Sequence, residues 1–386
     1  MTTVIVSAAR TPFGKLLGAL SSLSAADLGG HAISAAIAKA GIKPDQVSEV
    51  LLGHVIQAGT SQSAARKAAA AAGLSLNVPA TSINKVCLSG INSIALAHYL
   101  ISANPDQIIV AGGMESMTNA PHLLPNYRKG IKYGNDVVVD SMQCDALLCS
   151  FEHLTMGSAT DNFNPRYQLS REAQDEIALL SHQRAAAATE SGLFDAEIAP
   201  IQIGENQVST DEGIRANTDL ATLAKLKPAF NPTGTITAGN ASSISDGAAA
   251  VVIMSKTQAE KLGLNVLAEI VSHGSVAGPD TALHEQPANA IEHALGKANL
   301  KISDLDLVEI NEAFAAVSLV SMNKLGITSE ITNVNGGAIA IGHPVGASGA
   351  RLVTTLIHEL IRRGGGVGAA ALCGGTGQGD ALILKV

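Results

Sequence analysis

Along the chain, short apolar runs alternate with longer stretches in which alanine carries many of the apolar positions. Val4–Val6, Val50–Leu52, Ile108–Val110, Val251–Met254, Leu307–Ile310 and Val367–Leu372 are largely apolar without a polar alternation. Runs of that kind read as strands buried on both faces. Between them Ala25–Ala40, Ser63–Ala72, Ile91–Ser102, Pro287–Ala298 and Ala347–Arg363 read as helices, and the closing ALILKV reads as a last buried strand. Strands and helices in alternation predict a layered α/β architecture. With 38 glycines and abundant alanine, the helices are expected to pack very closely, one layer lying between sheets.

The pattern repeats. Residues Lys39–Gly53 align without gaps on Lys297–Asn311, at an offset of 258, with Ile42, Val47, Val50 and Leu52 meeting Leu300, Leu305, Val308 and Ile310. A weaker echo pairs Val110–Gly113 with Leu372–Gly375 at offset 262. The two echoes keep their order, which indicates two homologous halves. Between them, residues 116–244 differ in character, with six prolines and 15 acidic against 9 basic residues. This segment reads as an insertion, after which Ala249–Ser255 rejoins the first half. Within it, Leu169–Glu190 reads as an amphipathic helix capped by Ser170.

Composition narrows the partners. Net charge is −8, there is no Trp, and aromatic residues make up 3 % of the 386 positions. A basic face with stacking platforms is absent, which argues against nucleic acid. Apolar runs stop short of the roughly 18–20 residues of a membrane span, and the first residues match neither a signal nor a transit peptide. A soluble cytoplasmic protein is expected. Four scattered cysteines without CxxC or zinc-ligand spacing suit a reducing compartment and predict no metal site.

Five stretches carry candidate chemistry. In Ile83–Ala97 a strand-like lead stops at Cys87 and a helix follows. A thiol at such a helix start lies at the positive end of the dipole, which favours the thiolate; Cys87 reads equally as a buried structural cysteine. In Asn333–Val353, glycines and a proline flank His343 just before a helix, a position suited to a base. Cys373 ends an apolar strand and enters a loop with Gly374, Gly375, Gly377 and Gly379, whose N–H groups form a potential anion nest. A strand follows that loop where a dinucleotide fingerprint requires a helix. Asn311 follows the strand LVEI and either caps the next helix or orients a water or an oxyanion. Thr235–Asp246 is small and polar, either a plain loop or the lining for an extended polar ligand.

These motifs together resemble the thiolases, most closely the acetoacetyl-CoA branch. The resemblance spans essentially the whole chain, through SAARTPFGK, NKVCLSG, AGGMESMTNAPH, NEAFA, NGGAIAIGHPVGASGAR and CGGTGQG. It implies an α/β thiolase fold: two duplicated βαβαβαββ halves in an α/β/α/β/α sandwich with an inserted loop domain. The segments are 1–115 with 245–265, 116–244, and 266–386. It implies a two-step Claisen-type reaction that joins two acetyl-CoA molecules into acetoacetyl-CoA and CoA through an acetyl-Cys87 intermediate.

In that reading His343 accepts the Cys87 proton and Cys373 is the second acid/base. Asn311 holds a water that completes, with His343, one oxyanion hole. The N–H groups of Cys87 and Gly375 make the other. The insertion covers CoA, with Arg215 near the adenine and phosphates and Ser242 at the pantetheine. Ala238, Phe230, Met156 and Leu147 line the channel, and Ala313 and Phe314 close it. CoA is a substrate, so no cofactor and no metal is implied. Family members are usually homodimers or homotetramers. The chain departs from the branch at Thr155, where acetoacetyl-specific members usually carry His, and His153 is not an assumed substitute. Cys149 replaces a commonly acidic residue, and no bulky residue follows Cys373. Two further readings stand beside this one: a broad 3-ketoacyl-CoA thiolase of fatty-acid breakdown, and an inactive acyl-CoA-binding subunit.

Overall fold

The computed structural model describes residues 2–386. The apolar runs assemble into one ten-stranded sheet. Its order is Leu307–Ile310, Val367–Gly374, Gln378–Lys385, Ala268–Ala277, Thr3–Arg10, Ser245–Ser255, Ile108–Ser116, Glu49–Gly53, Ala80–Ile83, with Gly14–Lys15 beside the start of Ser245–Ser255. The two halves of this sheet meet through three residue pairs, Thr3 to Ile5 against Ala268 to Ile270.

Three hydrophobic clusters define the layers. The helices Ala25–Ala40 and Ala64–Ala71 bury Leu28, Ile33 and Ala68 on the outer face of the first half-sheet, with Val50, Val110 and Val252. The helix Gln286–Ala298 buries Ile291 and Leu295 on the outer face of the second, against Val308 and Ile383. The largest inner cluster joins both half-sheets, through Val251 and Leu382, to the helices Ser89–Ala103 and Ser348–Arg363, through Ile94 and Leu356. Helices therefore alternate with sheets through five layers, as the resemblance implied. A Cβ on Gly90 would lie 2.8 Å from the Gly346 carbonyl oxygen and 2.9 Å from the Ala350 nitrogen, so the two central helices approach to a separation only glycine permits.

The repeat is physical. Gly41 and Asn299, at equivalent positions, both end their helices in the left-handed region, with φ of 69° and 56°. Lys43 and Lys301 then donate their N–H groups to the side chains of Gln46 and Asp304, each 2.8 Å away. Ser245–Ser255 lies between Thr3–Arg10 and Ile108–Ser116, rejoining the first half as expected. The strand Ala268–Ala277 was not foreseen, because Glu269, Ser272, His273 and Ser275 break its apolar pattern.

From Met117 to Ile244 the chain leaves the sheet. Its main element is the helix Arg171–Glu190, whose cap Ser170 accepts the Ala173 N–H at 3.1 Å, as predicted. Buried Arg10 fastens this excursion to the sheet through Glu197 at 2.6 Å and Asp211 at 2.7 Å. Val86–Ala103 has the length and mean hydropathy, 1.5, of a membrane span, although Ser89, Asn92, Ser93, His98 and Ser102 interrupt its apolar positions. The central helix lies in this segment and packs between the two half-sheets, which explains its apolar character.

Candidate active site

Three turns meet at one cavity. The first follows the strand Ala80–Ile83. Asn84 accepts the Val86 N–H through Oδ1 at 3.0 Å and donates through Nδ2 to the Val55 carbonyl at 3.2 Å. Ser89 Oγ accepts the Lys85 N–H at 2.8 Å and donates to the Val86 carbonyl at 2.6 Å. These bonds hold Val86 at φ 51°, a conformation strained for a β-branched residue. The strain lifts half-buried Cys87 to the mouth of the helix Ser89–Ala103.

The second turn joins Val367–Gly374 to Gln378–Lys385. Cys373 is buried at its start, and Thr376 and Gly377 turn the chain with φ of 70° and 74°. Gly375 and Cys87 line the same cavity, and their backbone N–H groups favour the charged form of the Cys87 sulfur. One backbone N–H from each half thus stands at the cavity that holds the Cys87 sulfur.

The third turn carries His343, between Gly342 at φ 116° and Pro344. Its N–H donates to the Ser243 carbonyl at 3.2 Å. Its Nδ1 lies 2.6 Å from Ser348 Oγ, and that hydroxyl donates its own hydrogen to the Pro344 carbonyl at 2.9 Å. Ser348 can therefore only accept from the ring. Nδ1 carries the hydrogen and Nε2 is left with a free lone pair. Asn311 Nδ2 lies 3.4 Å from Nε2. Asn311 Oδ1 is buried and has no partner among the described residues. Asn311 does not cap a helix, since Phe314 is the N-cap of Ala315–Leu325.

The electrostatics correct one expectation. Burial pushes the Cys87 thiol up to about 11, the two N–H donors only partly offsetting it and the Glu115 carboxylate adding to it. Burial pushes Cys373 up as well, reinforced by Cys87. Burial, aided by the Arg351 cation, lowers His343 to about 4. The site therefore rests as two thiols and a neutral imidazole. The helix start does not outweigh loss of solvent. Glu115 is itself held by the N–H groups of Val55 and Gly346, each at 3.0 Å, which ties the loop after Glu49–Gly53 to the histidine turn.

The cavity measures ≈ 540 Å³. It is lined by Cys87, His343, Cys373 and Gly375, and by Leu147, Met156, Arg215, Phe230, Ala238, Ser242, Ala313 and Phe314. Every site residue expected from sequence is there except Asn311, which stands behind His343. Ser242 donates through N and Oγ to the Ala313 carbonyl, at 3.1 and 3.0 Å, closing the polar strip onto the second half. Phe230 meets Phe314 edge to face at 6.1 Å. The Arg215 N–H donates to His182 Nδ1 at 3.2 Å. Thr155 also lines the cavity and caps the helix Met156–Phe163, while His153 is exposed and lies outside the lining. Sequence reasoning missed Ser348 and the apolar wall of Met142, Leu283 and Val345. The spacing of Ser348, five residues after His343 in the first helical turn, was the available signal.

Such an arrangement can transfer an acyl group through a thiol, with a base beside it and donors for a developing oxyanion. The family description "Thiolase, N-terminal domain" matches residues 3–257, and "Thiolase, C-terminal domain" matches residues 264–386. A probable acetyl-CoA acetyltransferase of Mycobacterium leprae is 54 % identical over 389 residues, covering all of this chain and 99 % of the relative. The acetyl-CoA acetyltransferase of Escherichia coli K12 is 47 % identical, over 99 % of this chain and 98 % of its own. The rat protein named "Acetyl-CoA acetyltransferase, cytosolic" is 44 % identical over the same shares. The duplicated halves, the thiol turns and these full-length likenesses agree, and the chain belongs to the thiolase family of acyltransferases.

Proposed function

We propose that the protein is an acetyl-CoA C-acetyltransferase, joining two acetyl-CoA molecules into acetoacetyl-CoA and CoA, and running the reverse cleavage. The observation that carries this reading is that Cys87, His343, Cys373 and Gly375, drawn from both halves of the chain, line one cavity. The relatives' names supply the substrate.

In the first half-reaction His343 Nε2 takes the Cys87 proton and the sulfur bonds to the acetyl carbonyl carbon. The oxygen, now anionic, is held by the two N–H groups. As the C–S bond to CoA breaks, the departing sulfur takes the Cys373 proton. This leaves an acetyl-Cys87, an imidazolium and a Cys373 thiolate. The last two carry opposite charges in one cavity, which offsets the cost of creating each in a buried site. In the second half-reaction Cys373 removes an α-proton from the next acetyl-CoA. The thioester oxygen gains enolate charge facing a water held by Asn311 and His343. The α-carbon attacks the acetyl group, and Cys87 leaves and recovers its proton from His343. A thiolate with so high a proton affinity is a strong base, as a weakly acidic α-carbon requires.

CoA enters as a substrate and no resident cofactor or metal has a part in these steps. Residues 116–244 cover CoA, with Arg215 toward its phosphates and Ser242 and Phe230 along the pantetheine. The protein acts as a homodimer or homotetramer in the cytoplasm. Among the described residues the outer side of the edge strand Ala80–Ile83 has no partner strand, and the hairpin of His122–Leu123 and Val139–Asp140 exposes Tyr127, Tyr133 and Val137 between its strands, surfaces suited to further copies.

A second reading, a broad 3-ketoacyl-CoA thiolase, is favoured by one observation. Thr155 is short and turns its hydroxyl to its own helix, toward Ser158. The test is CoA-dependent cleavage of acetoacetyl-CoA beside a longer 3-ketoacyl-CoA. The account predicts a strong preference for acetoacetyl-CoA. Equal or faster cleavage of the longer substrate supports the second reading, and no cleavage of either overturns both.

A further inference from the structure

Cys87 and Gly375 line one cavity from different halves of the molecule, so the spacing of their N–H groups depends on what holds the halves in register at that point. Two residues before Cys87, Lys85 sends its ammonium to both carboxylate oxygens of Asp380, at 2.7 and 2.9 Å. The same ammonium donates to Ser275 Oγ at 2.9 Å. Asp380 is fully buried and lies on the strand Gln378–Lys385, opposite Leu372. The next pair along that ladder is Cys373 with Gly379, and the turn closing it holds Gly375. Asp380 also accepts from Asn92 Nδ2 at 3.1 Å, on the helix that Cys87 opens. His273 Nε2 stands 3.7 Å from it. One buried carboxylate thus grips both the nucleophile turn and the hairpin that supplies the second donor. None of the proposed steps uses Lys85 or Asp380, and neither lines the cavity.

We propose that the Lys85–Asp380 ion pair is a positioning clamp that sets the distance between the Cys87 and Gly375 N–H groups. It rests on these two donors acting as the oxyanion site of the proposed function. Its physical content is that displacing a donor by about 1 Å lowers the rate up to about 100-fold without altering how the substrate's remote parts bind.

The test is steady-state thiolysis of acetoacetyl-CoA by Asp380→Asn, Lys85→Met and Lys85→Arg, beside the unaltered chain and Cys87→Ala. Asp380→Asn and Lys85→Met are expected to lower kcat about 10–100-fold, with KM for CoA within about twofold. Lys85→Arg keeps a cation and is expected to recover most of kcat. Removing one member leaves a buried charge unpaired and can unfold the chain. The double variant Lys85→Met with Asp380→Leu removes both charges; it is expected to fold and still show the lowered kcat. Folded variants with kcat within about twofold of the unaltered chain overturn the clamp, as does a rise in KM for CoA that matches the fall in kcat. If Cys87→Ala keeps activity, the underlying reading fails. If Cys87→Ala is inactive while the clamp variants run at full rate, the clamp alone fails.

Discussion

The turn that carries Cys87 and the turn that carries His343 occupy the same place in the two halves, yet they are built in opposite ways. In the first half a third strand, Ala80–Ile83, pairs over four residues and runs within four residues to the nucleophile. In the second half that strand is reduced to a single bridge between Val308 and Thr332. A long glycine-rich detour follows, including the short helix Ala338–Ile341, before His343 and the helix Ser348–Arg363. The short turn holds Val86 in a strained conformation and sets Cys87 at the cavity, where Gly375 of the other half also stands. The long one buries the imidazole and fixes its tautomer with Ser348. A nucleophile must have donors around it where charge will develop, whereas a base must be kept neutral with one nitrogen free. Duplication supplied one frame, and the divergence of its two turns supplied the two chemistries.

The comparison can be broken in order of expected effect. Cys87→Ala should lower thiolysis by more than about 10⁴-fold, because the atom that carries the acyl group is gone. His343→Ala should cost less, about 10²–10⁴-fold, because a base contributes a rate factor and not the bond itself. Equal losses, read by steady-state cleavage of acetoacetyl-CoA, would show that the two turns act as one indivisible unit.

Ser348→Ala sharpens the same contrast. It leaves the imidazole in place and frees its tautomer, so kcat should fall about tenfold with KM for CoA little changed. Removal of a mere packing contact would leave kcat unaltered in a folded variant.

Acid stability is the mildest test. Imidazoles titrate near about 6.5 in the unfolded chain. Burial first of all lowers His343, His182 and His284 to about 4 in the folded one. Between these values the unfolded state binds more protons, so stability falls as pH drops from about 6.5 toward 4 and is fully present above that window. Thermal melting at pH 4.5 should lie below that at pH 7. His343→Gln should narrow the difference. An unchanged difference would mean that His343 is not held neutral by burial.

Much of this was legible in the chain. The repeat of Lys39–Gly53 in Lys297–Asn311 is carried by local patterns, and the left-handed Gly41 and Asn299 confirm it residue by residue. Thiol and glycine loop were visible because each stands at a strand-to-helix or strand-to-strand boundary, and the imidazole because glycines and a proline flank it just before a helix. What was not legible depends on burial. The thiol at a helix start was expected to be acidified, and its surroundings instead raise it to about 11. Ala268–Ala277 escaped notice because its polar residues face partners from elsewhere in the chain, such as Ser272 Oγ donating to the Ala294 carbonyl. From its place after a strand Asn311 read either as a helix cap or as a group that orients a water or an oxyanion, and sequence pattern alone did not choose between them. Its surroundings turn its amide toward His343.

The most direct measurement mixes the protein with acetyl-CoA alone, quenches it in acid and maps the acetyl group by peptide mass spectrometry. The account predicts a single acetyl group on Cys87, lost in Cys87→Ala and retained in Cys373→Ala at a reduced rate. An acetyl group on Cys373, or none on either cysteine in protein that still turns over, would contradict it.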